Sequence, residues 1–425
     1  MYVAHTHTYI YITLDDSGFN TPSSLPHFRP PQTDSTLLLK KQFTQFTHSE
    51  SRTTDKLTSR ESLAWFLMGL FNNISFVIMA ASAKDILPGS VSIVYLANSF
   101  PSLLLRLSAP YWFDRVPVSS RMLACFCLFV TGFTLVAVIE NDALKLVGVA
   151  CISAQCGMGE MSMLALSTRY GNKSLTLWSS GTGAAGIFGY FYFVLLHRWI
   201  GLSSYLTLLG ANAIAVAYYM TFLTFKVPPK YAAPVSSLSA APKPLSFQER
   251  FKLTLSLWPW GVPLIVVYFA EYAMQSGTWS SIGFPVTDKD ARAEFYQNAN
   301  WCYQVGVLIS RSSGTVWRPK LAVLWVMPLI QLCLLVFSTL NASSHWWYDN
   351  SLLASSVVVG LFGGAVYVNG FRLISEGVDP HHSELAMAAA SVCSDIGTNF
   401  GELAGLFIQK WLYSQNGVTD DRRFF

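Results

Sequence analysis

The sequence predicts an all-α polytopic membrane protein of about eleven transmembrane helices in two bundles, and three observations lead to this fold class. Apolar runs long enough to cross a bilayer follow one another over residues 62–412. Hydrophobic residues make up 52% of the 425 and charged residues 12%, about half of the ~25% usual for a soluble domain. Several runs carry one ionisable residue near the middle. A charge that faces lipid costs at least ~2.5 kcal/mol, so these runs predict a polar interior.

Residues 1–60 are rich in serine, threonine, proline and charge, and they lack the basic and then apolar stretches of a signal peptide. We predict a mostly disordered cytosolic tail. Within it, Asp34, Leu38 and Leu39 match an acidic dileucine signal, which sorts proteins to endolysosomal or vacuolar membranes.

Residues 61–226 form the predicted N-terminal six-helix bundle, in which each helix is an apolar run of spanning length. These runs cover residues 62–83, 91–113, 122–139, 143–167, 177–197 and 203–225. Residues 227–252 are rich in proline, serine and basic side chains, which predicts a cytosolic linker. Two bundles joined by a linker are typical of a pseudo-symmetric transporter.

Residues 253–413 form the predicted C-terminal five-helix bundle, with a short tail at 414–425. The runs cover residues 257–279, 297–316, 321–340, 352–373 and 384–412. Basic residues cluster in loops on the same side as the tail, which places the N-terminus in the cytosol. Asn341 then lies in a lumenal loop, and its Asn-Ala-Ser sequon is a candidate glycosylation site.

The composition argues against several other classes of protein. The net charge of +4 is small and dispersed, so we expect no nucleic-acid partner. The seven cysteines lack the paired spacing of a metal site, and the histidines are scattered. We therefore expect no metal, no cofactor and no enzymatic activity. The partners expected are the lipid bilayer, a small-molecule substrate and, with it, protons.

The loop after the second predicted helix contains Asp114, Arg115 and Arg121. This arrangement resembles the short cytosolic loop of the major facilitator superfamily, whose usual form is G-x-x-x-D-R-x-G-R-R. The resemblance implies an ionic latch that gates one side of a cavity. The other interpretation is an ordinary basic cytosolic loop, since proline and valine replace the central residues of the motif.

Glycines 181, 183 and 186 match the G-x-G-x-x-G dinucleotide fingerprint. No strand precedes them and no acidic residue follows at the required distance, so we reject nucleotide binding. The spacing predicts instead a face of small residues, at which membrane helices approach closely.

Polar residues inside the apolar runs are the candidates for a substrate and proton pathway. By analogy with the superfamily, the first and fourth helices of each half line a central cavity. These helices carry Asn72, Asn73, Glu160, Glu271 and Asn369. The alternative for each acid is a hydrogen bond between helices, made by its protonated form.

Two further helices contribute candidates to this pathway. Gln304 and Arg311 fall close to one face of the eighth helix, where a guanidinium binds a phosphate or carboxylate through two hydrogen bonds. Arg311 is equally compatible with snorkelling to a helix end, and snorkelling is favoured for Arg106. Asp395, with Asn399 and Glu402, forms an acidic face on the last helix, which either lines the pathway or lies on the membrane surface.

Six sequence blocks resemble the battenin family, the lysosomal and vacuolar membrane proteins named for Batten disease. The blocks are residues 69–75 with 83–87, 180–186, 268–272, 303–313, 363–369 and 384–395. The resemblance implies a major-facilitator-like fold in a vacuolar or lysosomal membrane. For animal members it implies export of glycerophosphodiesters, and for fungal members vacuolar pH homeostasis and basic amino-acid transport. Glu271 and Arg311 match the intramembrane acid and arginine of the family.

We therefore predict a secondary transporter of the vacuolar or lysosomal membrane, involved in vacuolar transport and pH homeostasis. Its substrate is a small polar metabolite, either a basic amino acid or a glycerophosphodiester. Arg311 is expected to hold an anionic group, and Glu271 or Glu160 to bind a proton. The alternative is a membrane scaffold that regulates acidification or trafficking without transport, against which the polar groups inside the spans argue.

Overall fold

The computed structural model describes residues 57–87, 91–225 and 246–418. The candidate sorting signal at Asp34, Leu38 and Leu39 lies outside these ranges. The helices of the first half are α1 Ser59–Ala81, α2 Val91–Trp112, α3 Val118–Val138, α4 Asp142–Tyr170, α5 Asn172–Phe193 and α6 Ser204–Thr224. Those of the second half are α7 Phe247–Ser256, α8 Trp258–Ala273, α9 Lys289–Ser312, α10 Leu321–Ser344, α11 Leu353–Gly377 and α12 Ser383–Gln415.

Within the described ranges, seven helices are long and apolar enough to cross a membrane, or eight if the bent pair of α7 and the helix Trp258–Ser281 counts as one span. Helices α2, α9 and α12 are not among them, because the apolar part of α2 is only Ile93–Ala109 and because charged and amide side chains interrupt the apolar runs of α9 and α12. The chain is a multi-pass membrane protein. The number of eleven spans stays a prediction.

The helix ends follow local capping chemistry. Thr58 and Glu61 form a capping box at the start of α1, and Ser246 and Glu249 form another at the start of α7. Gly171 separates α4 from α5 with a backbone φ of 84°, a left-handed conformation that glycine adopts without steric cost.

The two halves repeat one packing scheme. In the first half α1 packs along α5 and α2 along α4, and in the second half α8 packs along α12 and α9 along α11. The halves meet where α2 packs on α12 and α5 packs on α9. If each helix is exchanged for its counterpart in the other half, the contact of α2 with α12 becomes the contact of α9 with α5. This relation is expected of a pseudo-symmetric transporter fold.

Glycines on α5 allow close approach on two faces of the helix, whereas the sequence predicted one. Gly181 lies against the backbone carbonyl of Phe66 on α1. Gly183 and Gly186 lie against Leu308 and Gln304 of α9. The small residues therefore serve packing within the first half and packing between the halves, because α5 is wedged between α1 and α9.

Several helix boundaries differ from the predicted ones. Helix α7 lies partly in the segment predicted as linker, because the capping box of Ser246 and Glu249 starts a helix at Phe247. Helix α9 begins at Lys289, eight residues before the apolar run, with Asp288 as its N-cap. The first turns of α9 contain charged residues, so they are not part of an apolar run.

Candidate functional site

Arg106 on α2 is the centre of a buried ion cluster that joins the two halves. One terminal nitrogen donates to Glu160 Oε2 at 2.9 Å, and the other donates to the backbone carbonyl of Ser391 at 2.9 Å. Its Nε lies 3.2 Å from Asp395 Oδ2, which also accepts a 2.7 Å bond from the Ser102 hydroxyl. Arg106 is 2% exposed. The expected snorkelling of Arg106 is therefore wrong, because two carboxylates hold it inside the protein.

Tyr367 on α11 connects this cluster to Arg311. Its hydroxyl donates to Glu160 Oε1 at 2.7 Å, and the Arg311 guanidinium carbon lies 4.2 Å from the centre of its ring. A cation over an aromatic face is attracted by the quadrupole of the ring. One side chain thus contacts a carboxylate of the first half and a guanidinium of the second.

Arg311 itself points into the protein and is 9% exposed. One terminal nitrogen donates to the Thr182 hydroxyl of α5 at 2.6 Å, and the other donates to the Tyr268 hydroxyl of α8 at 2.9 Å. Its Nε has no hydrogen-bond partner among the described residues. The snorkelling alternative does not apply, since these bonds hold the guanidinium between the two halves.

Glu271 on α8 lies close to this site and is 2% exposed. The Tyr303 hydroxyl donates a short hydrogen bond to its Oε1. Its Oε2 faces Gly363 of α11, and in the described part of the chain this oxygen accepts no hydrogen bond. A side chain at position 363 would displace the carboxylate from this position.

Asn72 belongs to a separate polar group inside the first half and is 0% exposed. Its Oδ1 accepts bonds from Tyr218 and Gln155, and its Nδ2 donates to the carbonyl of Cys156 and to Asn73. All the hydrogen-bonding positions of this amide are occupied. The geometry supports a role in joining α1 to α4 and α6.

The remaining pathway candidates occupy different places. Asn369 is buried and bonds within α11, to the Ala365 carbonyl and to Arg372. Gln304 is partly buried at the contact of α9 with α5. Towards the C-terminal end of α12 from Asp395, Asn399 and Glu402 accept bonds from the Ser99 hydroxyl of α2, so the acidic face of α12 packs on the first half.

The N-terminal face, meaning the side of the bundle where α1 begins, carries the predicted gating loop. Asp114 pairs with Arg250 of α7, with 2.8 Å between Nη1 and Oδ1. Arg121 lies over the Phe113 ring at 3.8 Å, and Arg115 is exposed. The acid of the motif thus pairs with a neighbouring helix, α7, as the resemblance implies, and a gating role for this pair stays a prediction.

Two further contacts close this face between the halves. Arg169 at the end of α4 forms a short ion pair with Glu384 at the start of α12. Asn172 at the start of α5 donates to Glu376 at the end of α11 at 2.7 Å. Each pair joins the first half to the second.

Asn341, the glycosylation candidate, is 2% exposed. Its amide nitrogen donates to the carbonyl of Trp347 at 3.0 Å, and its amide oxygen accepts from the Trp347 nitrogen at 2.8 Å. A glycan on Asn341 requires both bonds to open. Its glycosylation stays a prediction.

Sequence reasoning identified Glu160, Glu271, Arg311 and Asp395, but it missed Arg106 and the tyrosines that connect these residues. Tyr268 and Tyr367 lie in two of the six sequence blocks, but neither is among the predicted site residues. A tyrosine inside a membrane helix needs a partner for its hydroxyl, and this requirement is the signal that could have found them. Arg250 was also missed, because it is one of several basic residues in the predicted linker.

Comparison with known structures identifies the fold. The structure is similar to FucP, a major facilitator superfamily transporter, in its outward conformation, with a TM-score of 0.54, 16% identity, and coverage of 84% of this chain and 97% of FucP. It is equally similar to the human organic anion transporter MFSD10, with a TM-score of 0.54, 14% identity, and coverage of 84% and 96%. The fold is therefore that of the major facilitator superfamily.

Comparison of sequences identifies the family. The model of the CLN3 protein family matches residues 63–242 and 236–415. Protein btn-1 of Neurospora crassa is 31% identical, over 82% of this chain and 88% of the relative. Battenin of Canis lupus familiaris is 30% identical over 82% and 90%, and Protein BTN1 of Saccharomyces cerevisiae is 29% identical over 84% and 96%. The chain belongs to the CLN3 family, as its six sequence blocks predicted.

Proposed function

We propose that this protein is a secondary transporter of the vacuolar or lysosomal membrane, and that its substrate is a small polar metabolite with an anionic group. The two halves alternate around the site formed by Arg106, Glu160, Asp395, Tyr367 and Arg311. The superfamily fold and the family names support this proposal. The basic residues of the N-terminal face favour a cytosolic position for that face.

The observation that carries the proposal is the contrast between two buried arginines. Arg106 lies beside two carboxylates, so its charge is neutralised within the protein. Arg311 bonds to two neutral hydroxyls and, in the described structure, forms no ion pair with a carboxylate. A buried charge is costly unless it is paired. We infer that the anionic group of the substrate supplies the missing partner, beside the free Nε of Arg311.

This contrast favours a glycerophosphodiester over a basic amino acid. A phosphodiester and a carboxylate both present two oxygens that match the forked donors of a guanidinium. A glycerophosphodiester is neutral or anionic overall, whereas a basic amino acid is a net cation and neutralises the buried Arg311 less well. A basic amino acid also brings a second cation, for which the free Oε2 of Glu271 is the available acceptor. Arginine is therefore the second candidate substrate.

The proton is assigned to the buried acids. Glu271 has one bonded and one free carboxylate oxygen. In the Arg106 cluster, two acids face one guanidinium. Replacement of Glu271 with Gln should abolish the dependence of uptake on a pH gradient, with substrate exchange retained. Unchanged gradient dependence in E271Q would exclude Glu271 and leave Glu160 and Asp395 as the proton site.

The test is uptake by the purified protein in liposomes. Labelled glycerophosphodiesters and labelled arginine are each measured with and without a proton gradient. Arg311→Lys should raise the KM for the anionic substrate roughly ten- to a hundredfold, from the ~1.5–3 kcal/mol of a charge-assisted hydrogen bond. The control is Arg318→Gln, which removes an exposed arginine. Absence of uptake of both substrates by folded protein would favour the scaffold alternative.

A further inference from the structure

Helix α7, in the segment between the two halves, has an apolar face that the described protein does not cover. Phe247, Phe251 and Leu255 follow one another at intervals of four residues, and Trp258 extends the same stripe. Their exposed fractions are 55%, 55%, 57% and 60%. Four large apolar side chains on one face are too many to be an ordinary scatter of surface residues.

The other two faces of α7 have different surroundings. Arg250, Thr254 and Leu257 point towards the protein, where Arg250 holds Asp114 and Leu257 is 2% exposed. The third face is polar and exposed, and it carries Gln248, Lys252 and Ser256. At about 100° per residue, each face takes roughly a third of the circumference. The apolar face therefore lies between a protein-facing side and a polar side.

The position of α7 relative to the next helix indicates what covers the apolar face. The helix Trp258–Ser281 is ~36 Å long at ~1.5 Å per residue, which is enough to cross a ~30 Å hydrocarbon core alone. Helix α7 precedes it with a bend of 63°. In length, therefore, the spanning helix does not need α7, and α7 ends where that helix enters the bilayer.

We propose that α7 is an in-plane membrane-surface helix, whose apolar stripe inserts into the boundary between lipid headgroups and acyl chains. The three faces fit such a site, with protein on one side, lipid on the second and water on the third. Trp258, at the junction with the spanning helix, is a residue type favoured at membrane interfaces. Tyr111 of α2, which stacks on Phe247 at 5.3 Å and is 59% exposed, extends the surface that contacts lipid.

This placement has a consequence for the latch on the N-terminal face. Helix α7 is continuous with the second half through α8, and it contacts α2 and α12 at the boundary between the halves. Arg250 binds Asp114 of the first half. Insertion of the apolar stripe into lipid holds α7 in the membrane plane, and thereby keeps Arg250 in reach of Asp114.

The experiment measures the environment of α7 in the full chain, reconstituted into nanodiscs. An environment-sensitive fluorescent amino acid is incorporated at position 251 on the apolar face or at position 252 on the polar face. Quenching by lipids with a nitroxide near the headgroup is compared with quenching by aqueous iodide. We expect lipid quenching to be severalfold stronger at 251 than at 252, and iodide quenching to show the reverse order.

Other results would overturn the proposal. Strong iodide quenching at both positions would place α7 in water. Protection from both quenchers at 251, lost when each nanodisc holds one chain, would show that a second copy covers the stripe. A label at position 255 repeats the measurement, so that a local disturbance by one label does not decide it. None of these measurements depends on transport.

Discussion

At the scale of single residues, Tyr367 is the side chain through which the two buried arginines are connected. Its hydroxyl binds Glu160, which is 207 residues away in the chain, and its ring lies under Arg311. A change at the Arg106 cluster that moves Glu160 therefore moves the ring that supports Arg311. This geometry gives the acids proposed to bind the proton a direct physical connection to the proposed anion site.

Tyr367→Phe and Tyr367→Leu separate these two contacts. Phenylalanine retains the ring below Arg311 and removes the hydroxyl, so the KM for an anionic substrate should stay within about twofold while the stimulation by a proton gradient falls. Leucine also removes the cation–π contact, worth ~2 kcal/mol or more when desolvated, so the KM should rise at least tenfold. Uptake kinetics in liposomes measure both effects. Full gradient stimulation in Y367F would show that the hydroxyl does not couple the sites.

Ionisable residues were predictable from the sequence to a greater extent than their partners. Glu160, Glu271, Arg311 and Asp395 are conspicuous because a charge within an apolar run is costly, and the structure buries or half-buries all four. Tyr367 is not conspicuous, since tyrosine is an ordinary member of such runs. Its role depends on which helices meet, and periodicity within one helix does not contain that information.

At the scale of helices, close contact between α1 and α5 depends on glycine. A methyl group at Gly69 would collide with the backbone carbonyl of Trp178, whereas one at Gly370 on α11 would lie 3.6 Å from Leu264. Gly69→Ala should therefore destabilise the protein by ~1–3 kcal/mol, as overpacking does. Gly370→Ala is the matched control and should be neutral or slightly stabilising, because alanine is the better helix former.

The measurement is the apparent unfolding temperature of each variant in the same detergent. A G69A variant as stable as G370A would mean that the close contact of α1 with α5 does not contribute to stability.

The packing of helices was only partly predictable from the sequence. The spacing of the glycines on α5 correctly indicated close helix packing, but a single helix pattern does not tell how many neighbours the helix will have.

At the scale of the whole molecule, the contacts on the N-terminal face determine how easily the halves separate there. Arg169 with Glu384, and Asn172 with Glu376, join the ends of helices from opposite halves. The side chains of Arg169 and Glu384 are 14% and 25% exposed. An ion pair with this access to solvent contributes at most about 1 kcal/mol, which is enough to bias an equilibrium between conformations without fixing it.

Glu384→Gln should therefore shift the equilibrium towards separation of the halves on the N-terminal face. A loss of up to ~1 kcal/mol changes the ratio of the two conformations by up to about fivefold. Nitroxide labels at the exposed positions Lys173 and Lys320, one in each half, report the distance across this face in nanodiscs. Noncanonical amino acids should carry the labels, because the exposed Cys127 and Cys333 would react with thiol reagents.

The expected result of this measurement is a larger population of the longer distance in E384Q. Glu140→Gln, which neutralises an exposed acid beyond the end of α3, is the matched control for the lost negative charge. Identical distance distributions in the two variants would show that the Arg169 pair does not hold the halves together. The latch at Asp114 and the contact of Asn172 with Glu376 would then be left as the contacts that close this face.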